Sequence, residues 1–346
     1  MKMKVAYLQE AMKIVVRDDA KVPEITPEQV LVKMEYCGVC GSDVHFYKDG
    51  RVGDVKAPKD FVLGHEVAGT IVEVGSSVKD LKVGDRVALE PGYPCGKCQY
   101  CKTGRYNLCP DVVFFADPPV DGALKEYVAH PADMCFKLPD NMTTEEGALV
   151  EPLSVGLHAT SLGNVGLGDE VLILGGGCIG LVTLLSAKAR GASKIVVVDL
   201  YDKRLNMALE LGATAVINAK KEDVFKRVDE LFEGKGVDKV FETAGAIPTI
   251  QQTPYFVKKG GTIVLVGMAA ESMAEFNFSQ AMVKEITIKT VFRYRNLYPT
   301  AIAAISSGSI DVKKIVTHRF SFDDSDLAFS TVVHDAQNVI KGIIKF

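Results

Sequence analysis

Val171-Leu-Ile-Leu-Gly-Gly-Gly-Cys-Ile-Gly180 is the stretch that decides the fold. Four consecutive apolar residues read as a buried strand, and Gly175, Gly177 and Gly180 follow it in G-x-G-x-x-G spacing. The apolar segment from about Ile179 to Arg190 then reads as a helix that stops at Gly191. Strand, glycine turn and helix in this order make a phosphate cradle. Gly175 permits the tight turn, Gly177 lets backbone N–H groups approach a pyrophosphate, and Gly180 allows close helix–sheet packing. The helix N-terminus adds partial positive charge. A bare glycine match is weak; here its context is complete. Ile195-Val-Val-Val198 is the next strand, closed by Asp199 near the offset of about 20 residues at which a carboxylate meets ribose hydroxyls. Such a carboxylate repels a 2′-phosphate and so favours NAD over NADP. Arg204 is the nearby group that could receive that phosphate or lie over the adenine.

The same rhythm runs from about residue 154 to 290. Leu205 to Leu211 leads to a stop at Gly212, and Val237–Phe241 and Thr262–Val266 are further strands. Buried strands alternating with helices predict a parallel, doubly wound sheet. Up to about residue 150 the chain is instead rich in short β-type runs, clearest at Val30–Met34, Val67–Val74 and Asp85–Leu89, with turns at Pro91-Gly92 and Asp121-Gly122. After 290 come a helix entered at Pro299 and a β-type tail. A chain of 346 residues, 47% apolar, is long enough for two domains. Forty basic against forty-four acidic side chains give a net charge of −4, which argues against a nucleic-acid or anionic-membrane partner. Gln9 and Glu10 interrupt the first apolar residues, and glycines break the longest apolar run, so neither a secretory segment nor a membrane span is expected. The expected location is the cytoplasm, where eight cysteines point to metal ligation rather than disulfides.

Cys95, Cys98, Cys101 and Cys109 stand in C-x2-C-x2-C-x7-C spacing. Four thiolates wrap one tetrahedral zinc and leave no open coordination position, so this is a structural site. Chemistry needs an open site, and Cys40, His65 and Glu66 supply a second ligand set. Cys37, two residues before Val39, is a rival ligand in the Cys37-Gly-Val-Cys40 run. Cys135 and Cys178 read as reduced thiols, and His130, His158, His318 and His334 lack ligand-spaced partners.

Cys40-Gly-Ser-Asp43, Gly64-His-Glu-x2-Gly69-x5-Gly75, the four-cysteine lobe and the later G-x-G-x-x-G occur in an order that resembles the zinc-dependent medium-chain alcohol dehydrogenases. Val150-Glu-Pro-Leu-Ser-Val-Gly156 and Val291-Phe-Arg-Tyr-Arg-Asn296 look most like the polyol branch, the sorbitol and xylitol dehydrogenases. The resemblance implies an α/β protein with a GroES-like β-rich catalytic domain (residues 1–153 and 291–346) and a Rossmann doubly wound parallel-sheet domain (154–290), the active site lying between them. It implies NAD and two zinc ions, one catalytic and one structural. It selects Cys40 over Cys37 and adds Glu151 to Cys40, His65 and Glu66, binding the metal or its water. Ser42 and His45 would relay a proton. Ile179, Asp199, Arg204, Val266, Gly267, Met268, Val291, Phe292 and Arg293 would contact NAD. Phe46, Phe115, Glu151, Arg293 and Tyr294 would line the substrate site.

The implied reaction is reversible oxidation of a polyol's secondary alcohol to a ketose by a homo-oligomer, a tetramer or dimer. Two features depart from animal sorbitol dehydrogenases: all four lobe cysteines are retained, and Phe46 replaces a tyrosine. Rival readings are a threonine or 2,3-butanediol dehydrogenase of the same superfamily, a non-catalytic NAD-binding protein, and a zinc-ribbon module.

Overall fold

In the computed structural model, which describes residues 1–269, 271 and 273–346, contacts divide the chain into two units. Met1–Glu151 with Tyr298–Phe346 form the first, and Pro152–Leu297 the second. The sequence reading placed the boundaries at 153/154 and 290/291. The structure instead assigns 291–297 to the second unit, because Val291 N–H continues the parallel sheet by donating to Leu265.

The first unit is built on a seven-stranded sheet. Its path runs Cys135–Lys137, Arg86–Leu89, Glu66–Val74, Gln29–Gly38, Lys341–Lys345, Val316–Ser321, with Tyr127–Pro131 also paired to Gln29–Gly38. A three-stranded sheet of Lys13–Lys21, Lys2–Glu10 and Phe61–Val62 shares its apolar core, and two short two-stranded pairs lie in the same unit. The expected strands lie where the sequence placed them, within a few residues at their ends. The tail is not wholly β-type: Ser325–His334 is a helix between its two strands. Its β-branched Thr331-Val-Val333 run hides this, and packing decides it. Phe329 meets Tyr47 at 5.4 Å between ring centroids, while the Asp326 carboxylate accepts from Ile14 N–H and Tyr47 Oη–H. A helix over Gly41–Asp49, also not read from the sequence, carries Ser42, Asp43, His45 and Phe46.

The second unit contains six parallel strands ordered Ala215–Asn218, Lys194–Asp199, Glu170–Leu174, Val237–Glu242, Val257–Leu265, Thr287–Thr290. The order reverses at Glu170–Leu174, and Leu174 pairs with both Val198 and Glu242. The C-terminal strand ends therefore bring Gly175, Asp199 and Thr243 to one edge, where doubly wound sheets bind ligands. Among the described residues no helix is long and apolar enough to cross a membrane.

Candidate active site

Two clusters of metal-type donors form in the first unit. In the lobe the ligand atoms of Cys95, Cys98, Cys101 and Cys109 lie within 4.8 Å of one another. Cys98 Sγ is 3.4 Å from Cys101 Sγ, and Cys95 Sγ is 4.0 Å from it. Four sulfurs at about 2.3 Å from one ion would stand about 3.8 Å apart, so the cluster has zinc dimensions. Backbone N–H groups of Lys97 and Cys98 lower the Cys95 thiol to about 7. Burial and the neighbouring sulfurs push Cys101 up to about 12. A bound dication would supply the charge these crowded thiolates lack.

The second cluster is Cys40, His65 and Glu66, again with ligand atoms within 4.8 Å. Cys40 precedes the Gly41–Asp49 helix, while His65 and Glu66 enter the strand Glu66–Val74. Gly38 makes the close approach possible, since a Cβ there would lie 1.9 Å from Glu66 Oε2. Asp43 is buried, with Oδ1 3.4 Å from His65 Nδ1. Burial alone pulls the His65 imidazole down; the Asp43 carboxylate and Cys40 sulfur outweigh it and raise His65 well above the ordinary value. Asp43 Oδ2 and His65 Nδ1 are buried without a hydrogen-bond partner among the described residues. A cysteine sulfur converging with a buried imidazole and a buried carboxylate fits a zinc ion.

Cys37 is not part of this converging set; its buried thiol donates to Gly38 O, and burial pushes it far up. Ser42 Oγ–H donates to Cys40 Sγ at 3.4 Å. His45 is 42% exposed and faces Asp49 at 3.8 Å. Glu151 is buried in the first turn of the helix Val150–Leu162 and lies outside the converging set. Phe46 and Phe115 are core residues, packed against Phe61 and His130 respectively. Asp43 and Lys341, which binds Glu66, were missed by the sequence reading. Asp43 had a signal, since it lies within Cys40-Gly-Ser-Asp43.

The second unit carries the cradle. Gly175 has φ of +111°, and a Cβ on it would lie 2.7 Å from Ala244 N. A Cβ on Gly180 would lie 1.8 Å from Gly175 O, whereas one on Gly177 meets nothing nearer than Arg204 at 4.0 Å. The space beside Gly177, at the start of the Cys178–Ala189 helix, is thus open to a phosphate. Asp199 Oδ2 accepts from Gly176 N–H at 2.7 Å, and Oδ1 accepts from Leu200 and Tyr201 N–H. Arg204 lies 3.6 Å from Asp199 and over the Tyr201 ring. Ile179 is in the first turn of that helix. Val266 and Gly267 follow the strand Val257–Leu265 and both donate to Glu242 O, and Met268 is exposed beyond them. Val291, Phe292, Arg293 and Tyr294 follow the last strand; Phe292 is exposed, Arg293 stacks on its ring with φ of +55°, and Tyr294 is buried.

A dinucleotide-type cradle on one unit and a three-ligand metal set on the other define a zinc-type dehydrogenase, and the comparisons agree. The chain matches an alcohol dehydrogenase GroES-like domain over residues 26–140 and a zinc-binding dehydrogenase domain over 178–307. It is 51% identical to the Escherichia coli zinc-type alcohol dehydrogenase-like protein YdjJ, over 96% of this chain and 95% of that one. It is 49% identical to rat sorbitol dehydrogenase, over 90% and 87% of the two chains. A crystal structure of an Escherichia coli oxidoreductase/dehydrogenase of unknown specificity superposes with a TM-score of 0.95 at 49% identity, covering 100% and 99%. The chain belongs to the zinc-dependent medium-chain alcohol dehydrogenase superfamily, in its polyol branch.

Proposed function

We propose that this dehydrogenase oxidises a secondary alcohol of a polyol, of sorbitol, L-iditol or xylitol type, reversibly to a ketose with NAD. The observation that carries the reading is the convergence of Cys40, His65 and Glu66 in a chain that also builds the Gly175–Gly180 cradle. Cys40, His65 and Glu66 would hold a zinc ion, which would supply a Lewis acid for the substrate hydroxyl, and the Gly175–Gly180 cradle would hold NAD, which would supply the hydride acceptor. Asp43 orients His65. Ser42 and His45 are assigned to carrying the hydroxyl proton to solvent; the exposure of His45 supports this. Glu151 is assigned to the metal or its water, and Arg293 and Tyr294 to the polyol hydroxyls. Carboxylate in the ligand set favours hard oxygen ligands. A substrate contact by Phe46 or Phe115 rests on the resemblance alone. A second zinc is assigned to Cys95, Cys98, Cys101 and Cys109 as a structural ion.

Asp199 supports NAD over NADP, while Arg204 beside it is the group through which NADP would gain. Homo-oligomer formation, as a dimer or tetramer, is supported by the exposed outer strand Thr287–Thr290 and by Phe278, Met282 and Val283 on the neighbouring helix. The test is NADH production by purified, zinc-loaded protein against sorbitol, xylitol, other pentitols, 2,3-butanediol, threonine and simple secondary alcohols. Preference for polyols is the expected result. Turnover confined to threonine, a diol or a simple alcohol would discard the polyol assignment.

A further inference from the structure

Glu66 is claimed twice. Its carboxylate belongs to the converging donor set, and Lys341 Nζ donates to both of its oxygens at 2.7 Å. Both side chains are buried, at 1% and 2% exposure. Lys341 opens the strand Lys341–Lys345, far from Glu66 in sequence, and also donates to Val39 O at 3.0 Å, one residue before Cys40. Strand pairing places it there: Ile343 is opposite Gly38, and Val39 N–H donates to Gly342 O. One ammonium thus holds the Glu66 carboxylate and the backbone leading into Cys40.

A buried ammonium with both carboxylate oxygens competes with a dication for the same lone pairs, and it repels that dication through a medium that screens poorly. Resting on the zinc reading above, we propose that Lys341 is a positioning residue that sets how tightly the catalytic zinc is held. It fills the electrostatic role of the metal when Glu66 carries none, keeping the carboxylate buried and aimed. It also weakens Glu66 as a ligand, so that this ligand is exchangeable. The proposal and a purely structural role differ in sign. Loss of a merely structural lysine deforms the site and weakens metal binding; loss of a competing cation strengthens it.

The experiment titrates zinc into chelator-stripped full-length protein against a chromophoric indicator, for wild type, Cys40→Ala, Lys341→Met and Lys341→Gln. The Cys40-dependent zinc equivalent is the one missing from C40A. In K341M its affinity should rise by about tenfold or more. The metal-free variant should melt lower than wild type, because Glu66 is left buried and unpaired, and it should gain more from zinc. K341Q keeps a donor for Val39 O and should shift in the same direction if K341M folds poorly. Folding of either variant only on zinc addition supports the proposal. An unchanged or weakened affinity overturns it, as does failure of both variants to fold even with zinc. If C40A loses no zinc equivalent, the zinc reading itself fails.

Discussion

Asp43 is 1% exposed, and one of its oxygens both faces His65 Nδ1 and accepts from Gly64 N–H, each at 3.4 Å. A carboxylate in that position fixes the imidazole's orientation and raises its basicity as a ligand. Asp43→Asn should weaken the Cys40-dependent zinc by roughly 10–100-fold, read by chelator competition; an unaltered affinity would show that Asp43 only supports the loop. Asp199 spends its carboxylate differently, on three backbone N–H groups and on Arg204. Asp199→Ala should narrow the ratio of NAD to NADP turnover, because it removes the negative charge and leaves Arg204. A ratio that stays constant would remove Asp199 as the selector.

The element proposed to cradle the cofactor is the turn from the strand Glu170–Leu174 into the helix Cys178–Ala189. Gly180 touches Gly175 O so closely that any Cβ must push the helix off the strand. Gly180→Ala should cost roughly 1–3 kcal/mol of stability and weaken NADH binding, measured by thermal melts and NADH fluorescence. Unchanged binding would mean the cradle tolerates that shift.

At the end of the strand Arg86–Leu89, Glu90 is buried and accepts from Tyr106 Oη–H at 2.6 Å, tying the sheet to the four-cysteine lobe. Burial raises Glu90 to about 7 despite that hydrogen bond. The unfolded carboxyl ionises at about 4.3, so between that value and 7 the folded state holds a proton the unfolded state has lost. Stability then falls as pH rises through this window. Buried His130, whose ring pairs with Glu90 O, is pushed down to about 4 and contributes the opposite slope between that pH and about 6.5. Glu90→Gln removes only the first contribution, so the variant should gain on wild type in melting temperature from pH 5 to pH 8. Parallel melting curves would refute a buried, raised Glu90.

On the scale of the whole molecule, the metal donors and the dinucleotide cradle are carried by different units with separate cores. Chelation should therefore abolish turnover while NADH still binds, as titration of the stripped protein by fluorescence would show. Loss of NADH binding on chelation would mean that the second unit's fold depends on the metal.

Much of this was legible in the chain because the relevant constraints are local. A glycine turn between a strand and a helix, or four cysteines within one lobe, needs only a few residues to specify its geometry. The β-rich and alternating halves were legible for the same reason, since periodicity is a property of neighbours. Cys40, His65 and Glu66 were grouped from their residue types as one ligand set, but the choice of Cys40 over Cys37 came from resemblance, because spacing along the chain does not say which strands are adjacent. The structure supplies that through the pairing of Gln29–Gly38 with Glu66–Val74, which sets Gly38 opposite Glu66. Register likewise brings Lys341 onto Glu66, and packing against Tyr47 makes a helix of a tail whose β-branched residues favour a strand. Sequence by itself determined the two kinds of domain, the cradle and the four-sulfur lobe. Only the tertiary structure decided which buried charges face one another, because burial, not sequence spacing, selects a charge's partner.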